Sequence, residues 1–262
     1  MRGTLLVGCL FAGGCDVVFR LDNLRDAAPD SSEGCFQPRK LVQSVGGSHD
    51  PTLSEDGLEL FFVRGGVGTY DIWRAERATT ADEFPMGTPV AELLTTSEET
   101  DPALTADGKT LVFKSNRNSQ PNRAWTATRS GRGLPFGAAT PVAGLTSMDV
   151  VGLDISLDGL TIYFDDFAKL NVATRPALTA AFETPRMVAI DRTQYPSVSP
   201  DGLELIYSAG GVLRRTRAST DEPFENPMVI DSGGSDADIA PDNTRFVMAG
   251  GGGEIYERER CP

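Results

Sequence analysis

Six aspartates in this chain have the type and spacing to do chemistry: Asp50, Asp101, Asp149, Asp154, Asp236 and Asp238. They fall at or near the start of repeated segments of the form P-x-L-S. If those segments converge, the carboxylates surround one opening. Paired carboxylates at an opening can hydrolyse a glycoside, one giving a proton to the leaving oxygen and the other meeting the charge that develops on the sugar. A carboxylate ring could instead hold a hard cation, Ca²⁺ above all, or a basic peptide. The plainest reading is local, because aspartates at strand starts cap loops with their own side-chain oxygens.

Other chemistries fail on inventory. His49 is the one histidine, so a Ser-His-Asp triad has a single place to form. The four cysteines, at 9, 15, 35 and 261, form no C-x-x-C pair and no Cys/His set, which argues against zinc and dithiol chemistry. The runs "GGVGTY" and "GGGGE" precede no helical pattern and so cradle no phosphate. "SLDGLTIYF" looks like a sialidase Asp-box, but that box separates its Asp and Gly, and here Asp158 and Gly159 are adjacent. A formal charge of -13 argues against nucleic-acid or anionic-membrane surfaces, which need clustered Lys and Arg. No resident metal or cofactor is expected beyond the cation such a mouth could take.

The elements that would position these aspartates repeat. The segments are "HDPTLSEDGLELFF", "TDPALTADGKTLVF", "VGLDISLDGLTIYF", "QYPSVSPDGLELIY" and "SDADIAPDNTRFVM", with turn aspartates at 56, 107, 158, 201 and 242. Asp-Gly between two apolar runs is a hairpin signal, since both residues accept positive φ, and Asn243 replaces glycine in the last copy. Ser54, Thr105, Ser156 and Ser199 therefore belong to turn geometry and not to catalysis. An apolar triple follows each turn, then a strand closing on arginine ("DIWRAER", "RAWTATR", "LNVATR", "VLRRTR", "EIYERER"), then a Phe and Pro linker into a fourth strand. Trp73 and Trp125, in the third strand, are expected to pack between units and not to serve as sugar platforms.

Four strands per unit of about 40–50 residues marks a β-propeller blade. The fifth unit ends without its fourth strand, and a matching stretch, "CFQPRKLVQSV", begins at Cys35. The sequence thus predicts an all-β, five-bladed propeller over residues 35–262, its N-terminal strand joining the C-terminal blade. Six blades is the alternative count.

The "SPDG" turn, the apolar triple, the "DIW" strand and the R…F…P linker resemble the PD40, or WD40-like, propeller repeats of TolB-type periplasmic proteins. The resemblance spans residues 35–262, but the TolB propeller has six blades and follows a separate N-terminal domain that has no counterpart here.

The N-terminal "MRGTLLVGCLFAGGC" has the order of a secretory signal: one cation, then an apolar run too short to span a membrane. Ala12-Gly13-Gly14-Cys15 resembles a lipobox, which implies a signal over 1–14, lipid on Cys15 and a tether over 15–34. Leu6-Val7-Gly8-Cys9 fits the lipobox letters better but leaves little apolar core, so the choice between Cys9 and Cys15 stays open. Cys35 and Cys261 then remain as a pair at the two ends of the folded part, a disulfide candidate in an oxidising compartment. The resulting expectation is a monomeric envelope lipoprotein, touching membrane only through its lipid, with its propeller in the periplasm or exterior. There it would act as a non-catalytic platform for an envelope protein or glycan. An exported carbohydrate-active hydrolase using the mouth aspartates is the alternative.

Overall fold

The computed structural model describes residues 36–43, 46–65, 69–119, 121–166, 169–189 and 193–261. The expected signal, Cys9, Cys15, the tether and Cys35 lie outside the described residues.

Among the described residues twenty strands form five antiparallel four-stranded sheets, the five-bladed count and not the six-bladed alternative. Strand β1 (Lys40–Gln43) precedes blade 1, made of β2 (Ser48–Leu53), β3 (Glu59–Arg64), β4 (Asp71–Glu76) and β5 (Thr88–Pro89). Blade 2 is β6 (Glu99–Leu104), β7 (Thr110–Ser115), β8 (Arg123–Thr128) and β9 (Thr140–Pro141). Blade 3 is β10 (Leu153–Ile155), β11 (Thr161–Asp165), β12 (Leu170–Thr174) and β13 (Arg186–Ala189). Blade 4 is β14 (Gln194–Val198), β15 (Glu204–Ser208), β16 (Val212–Thr216) and β17 (Met228–Asp231). Blade 5 is β18 (Gly234–Ile239), β19 (Arg245–Gly250) and β20 (Ile255–Glu259), completed by β1 against β20. The ring closes as the sequence predicts.

The apolar triples are consecutive because the second strand of each blade is covered on both faces. In β3, Phe61 and Val63 pack with Leu104, Leu111 and Phe113 of blade 2. Leu60 and Phe62 of the same strand pack with Ala240 and Val247 of blade 5. Trp125 is buried in the cluster between blades 1 and 2, and Trp73 packs partly into the one between blades 5 and 1.

The recurring arginine ties each blade together. Nε of Arg77, Arg129, Arg175, Arg217 and Arg260 donates to the turn carbonyl of Gly57, Gly108, Gly159, Gly202 and Asn243 respectively, at 2.6–2.8 Å. The same five guanidinium groups lie over Phe84, Phe136, Phe182, Phe224 and Phe36, 4.3–5.3 Å from the ring centroid. One side chain thus fixes the turn at the far end of the inner strand and the Phe that leads into the outer strand. At the closure, Phe36 comes from the N-terminal segment and Arg260 from the last blade.

Candidate functional site

A cavity of about 30 Å³ opens at the start of the innermost strands, lined by Asp50, Asp101, Tyr195, Asp236 and Asp238 among others. Its side chains are aimed by bulges. The ladder between the first two strands of a blade slips between His49 and Thr52, Thr100 and Ala103, Gln194 and Ser197, and Ser235 and Asp238. At each slip one residue takes left-handed φ: Asp50 (46°), Asp101 (52°), Tyr195 (53°) and Asp236 (49°). A bulge turns a side chain out of the sheet, and positive φ at a non-glycine residue persists only where the surroundings hold it. Blade 3 has Gly152 at this place. A Cβ there would lie 2.8 Å from the Tyr195 backbone, so the ring of side chains is open on that side for want of space.

The three mouth aspartates touch through short links. Asp101 N–H donates to Asp50 Oδ2 at 3.3 Å, and His49 Nδ1 lies 3.1 Å from the same oxygen. Ligand atoms of His49, Asp50 and Asp236 all fall within 4.8 Å of one another. Lys114 Nζ sits 2.6 Å from Asp101 Oδ2, donates to Val151 O and lies 5.9 Å from the Tyr195 ring centroid. Crowded carboxylates of like charge hold their protons more tightly. Desolvation, then the Asp50 and Asp101 charges, push Asp236 up to about 7. Desolvation also raises Asp101, against the pull of Lys114, to about 6. Burial works against protonated His49, yet the bond to Asp50 and the neighbouring carboxylates leave its pKa raised.

Asp154 and Asp238 line a second small cavity further along the channel, and Asp238 borders the mouth as well. Ser197 Oγ donates to Asp238 Oδ1 at 2.8 Å, while Asp154 accepts from Val198 N–H and Ile155 N–H. Desolvation followed by the Asp238 charge raises Asp154 well above the carboxylate range, and desolvation takes Asp238 to about 6. Asp149 does not join them: it is exposed and paired with Arg123. Lys114 and Tyr195 are the mouth residues that sequence reasoning missed as participants. The signal for Tyr195 was its place in the repeat, while nothing local marks Lys114.

Asp50 and Asp236 offer the oxygen donors that Ca²⁺ takes, whereas the His49 nitrogen suits a transition-metal ion instead. Lys114 beside Asp101 and the raised Asp236 disfavour that use, since an ammonium and a protonated acid compete with the ion.

The architecture is a five-bladed propeller whose mouth collects acids of unequal proton affinity. No protein-family model matches the sequence. No curated protein is similar to it. Among solved structures it is similar to the α-L-arabinofuranosidase of Podospora anserina in complex with cellotriose, at 15% identity and TM-score 0.60, over 88% of this chain and 97% of that one. It is likewise similar to a thermostable family-43 glycoside hydrolase, at 11% identity and TM-score 0.56, over 86% and 92%. A TolB from Acinetobacter baumannii matches at 16% identity and TM-score 0.42, over 86% and 46%, which is too low to carry an argument. These identities establish the fold alone. They leave the expectation of a chain that is not an enzyme without support, because the structures whose fold it shares over nearly their whole length are glycoside hydrolases. The resemblance to TolB-type repeats extends no further than the propeller.

Proposed function

We propose that this protein is a glycoside hydrolase acting at the channel mouth, with Asp236 as proton donor and Asp50 as its partner carboxylate. The observation that carries the reading is the carboxylate pair at the mouth, with oxygens of Asp50 and Asp236 within 4.8 Å of one another and Asp236 pushed up to about 7 by burial and its charged neighbours. An acid of that pKa keeps its proton near neutrality and can release it to a leaving oxygen. Breaking the glycosidic C–O bond sends the bonding pair to that oxygen, which takes the Asp236 proton. Asp50 meets the anomeric carbon, and water later replaces Asp50 as Asp236 takes up the water's proton. Oxygens of the two carboxylates lie within 4.8 Å of one another, near enough for both to act on one glycosidic bond. Asp101, beside Lys114, accepts a hydroxyl of the bound sugar.

A cavity of about 30 Å³ admits little more than one water. The sugar therefore sits across the mouth with its reacting end inserted, a geometry suited to a terminal residue or short side branch. Similarity to an α-L-arabinofuranosidase makes arabinofuranosides the first substrates to try, and export would place the enzyme where such glycans occur. The test is aryl-glycoside cleavage between pH 5 and 9. Wild type should turn over and lose activity as pH rises through about 7, and Asp236→Asn should fall at least about 100-fold. Full activity in Asp236→Asn overturns the assignment.

A further inference from the structure

In blades 1 and 4 the first residue of the second strand is a glutamate that faces the arginine of the next blade. Where it is Glu59, Arg129 fills the seam with two bonds, Nη1 to Oε1 at 2.9 Å and Nη2 to Oε2 at 2.6 Å, both side chains fully buried. Where it is Glu204, Arg260 Nη2 reaches Oε1 at 2.7 Å. Between blades 3 and 4 that position is Thr161, which is too short to reach. A second shortening coincides with it. Leu178 lies against the Gly159 turn together with Thr105 of blade 2, whereas Thr220 occupies the matching place at Gly202.

The outcome is a cavity of about 160 Å³ on the turn face, opposite the mouth, lined by Asp154, Ser156, Thr161, Tyr163, Ser199 and Asp201 among others. We propose that this seam is a second binding site for one small uncharged polyhydroxy ring, such as a single sugar. The volume equals about five waters at roughly 30 Å³ each, the room of a single ring and not of a chain. With the Ser156 and Ser199 protons given to the turn aspartates, the Thr161 and Thr220 hydroxyls and the carboxylate oxygens supply the donors and acceptors that a polyol needs, and the Tyr163 ring supplies an apolar face. The Asp158 and Asp201 turns use Oδ1 for Leu160 and Leu203, so each keeps a second carboxylate oxygen, and the two charges turn anions away.

The site is independent of the mouth chemistry, and the test keeps the two apart. Saturation-transfer NMR on the whole protein with L-arabinose, D-glucose and D-xylose should show transfer to at least one. Transfer should persist in Asp236→Asn, which alters only the mouth. It should be lost in Thr161→Glu, which installs the partner that the Glu59 and Glu204 seams have, and weakened in Thr220→Leu, which copies blade 3. Unfolding curves confirm that both seam variants fold. Transfer to none of the three sugars, or equal transfer in folded Thr161→Glu, overturns the proposal.

Discussion

Asp154 shows how one channel side chain sets a pH dependence for the whole molecule. Desolvation and the Asp238 charge raise its pKa in the folded state above the unfolded value of about 3.9. A group shifted upward contributes fully below its unfolded value, and the contribution is lost as pH rises through its folded value. Asn at this place carries no proton equilibrium and still offers an acceptor to one of the two backbone N–H groups. Asp154→Asn should therefore gain on wild type as pH rises from about 4 to 8, at about 1.4 kcal/mol per unit of relieved shift. Urea unfolding at both ends of that range measures it, and a difference that does not change with pH refutes it. The aspartates themselves were legible, because each starts or flanks a repeated segment. The raised proton affinity of Asp101 and Asp236 was not, since it depends on how Lys114, from the neighbouring strand of the same blade, meets Asp101 and on the bulges that turn Asp50, Asp101 and Asp236 toward one another.

At the scale of the strand and turn, the repeat was readable where its parts are adjacent in sequence. Ser199 Oγ bonds Asp201 Oδ1 at 2.6 Å and receives Glu204 N–H at 2.9 Å, which is the backbone work the Asp-Gly pattern predicts. The hydroxyl bond holds Asp201 below the ordinary carboxylate range, as suits a turn and not a general acid. The arginine that closes each third strand was visible as a recurrence without a reason. Its carbonyl partner lies in a turn and its phenylalanine partner in the linker to the outer strand, and for Arg77, Arg129 and Arg260 the carboxylate partner lies in a different blade. The fully buried Arg129–Glu59 pair makes this role measurable. Glu59→Gln leaves a buried guanidinium without its counter-charge, and should cost about 3–5 kcal/mol in chemical unfolding. A loss below about 1 kcal/mol would show that the seam does not depend on the pair. Gly152 illustrates the opposite limit, since its smallness answers to the Tyr195 backbone of the next blade and to nothing nearby in sequence.

For the whole molecule, closure is the feature the sequence predicted most fully, because a missing fourth strand at one end matched a spare one at the other. β1 pairs with β20, and Gln37 Nε2 approaches Cys261 Sγ at 3.5 Å, so the chain just after Cys35 runs beside the last residues. A Cys35–Cys261 disulfide is therefore proposed, and non-reducing peptide mapping should recover it. Closing a loop of this length is worth about 5 kcal/mol in the chain-entropy model, so reduction should lower Tm by several degrees. Free thiols at both cysteines refute the bond. Function was less legible than fold, because propellers of one shape serve as platforms and as catalysts, and the difference lies in the protonation of a few acids at the mouth. The most direct test of the hydrolase reading is sugar release from arabinofuranosyl and xylosyl glycosides, comparing wild type with Asp236→Asn under identical conditions. The account predicts release by wild type, with retained anomeric configuration, and near-complete loss in the variant. No release from any of these glycosides by folded wild type, or equal release by the variant, would contradict it.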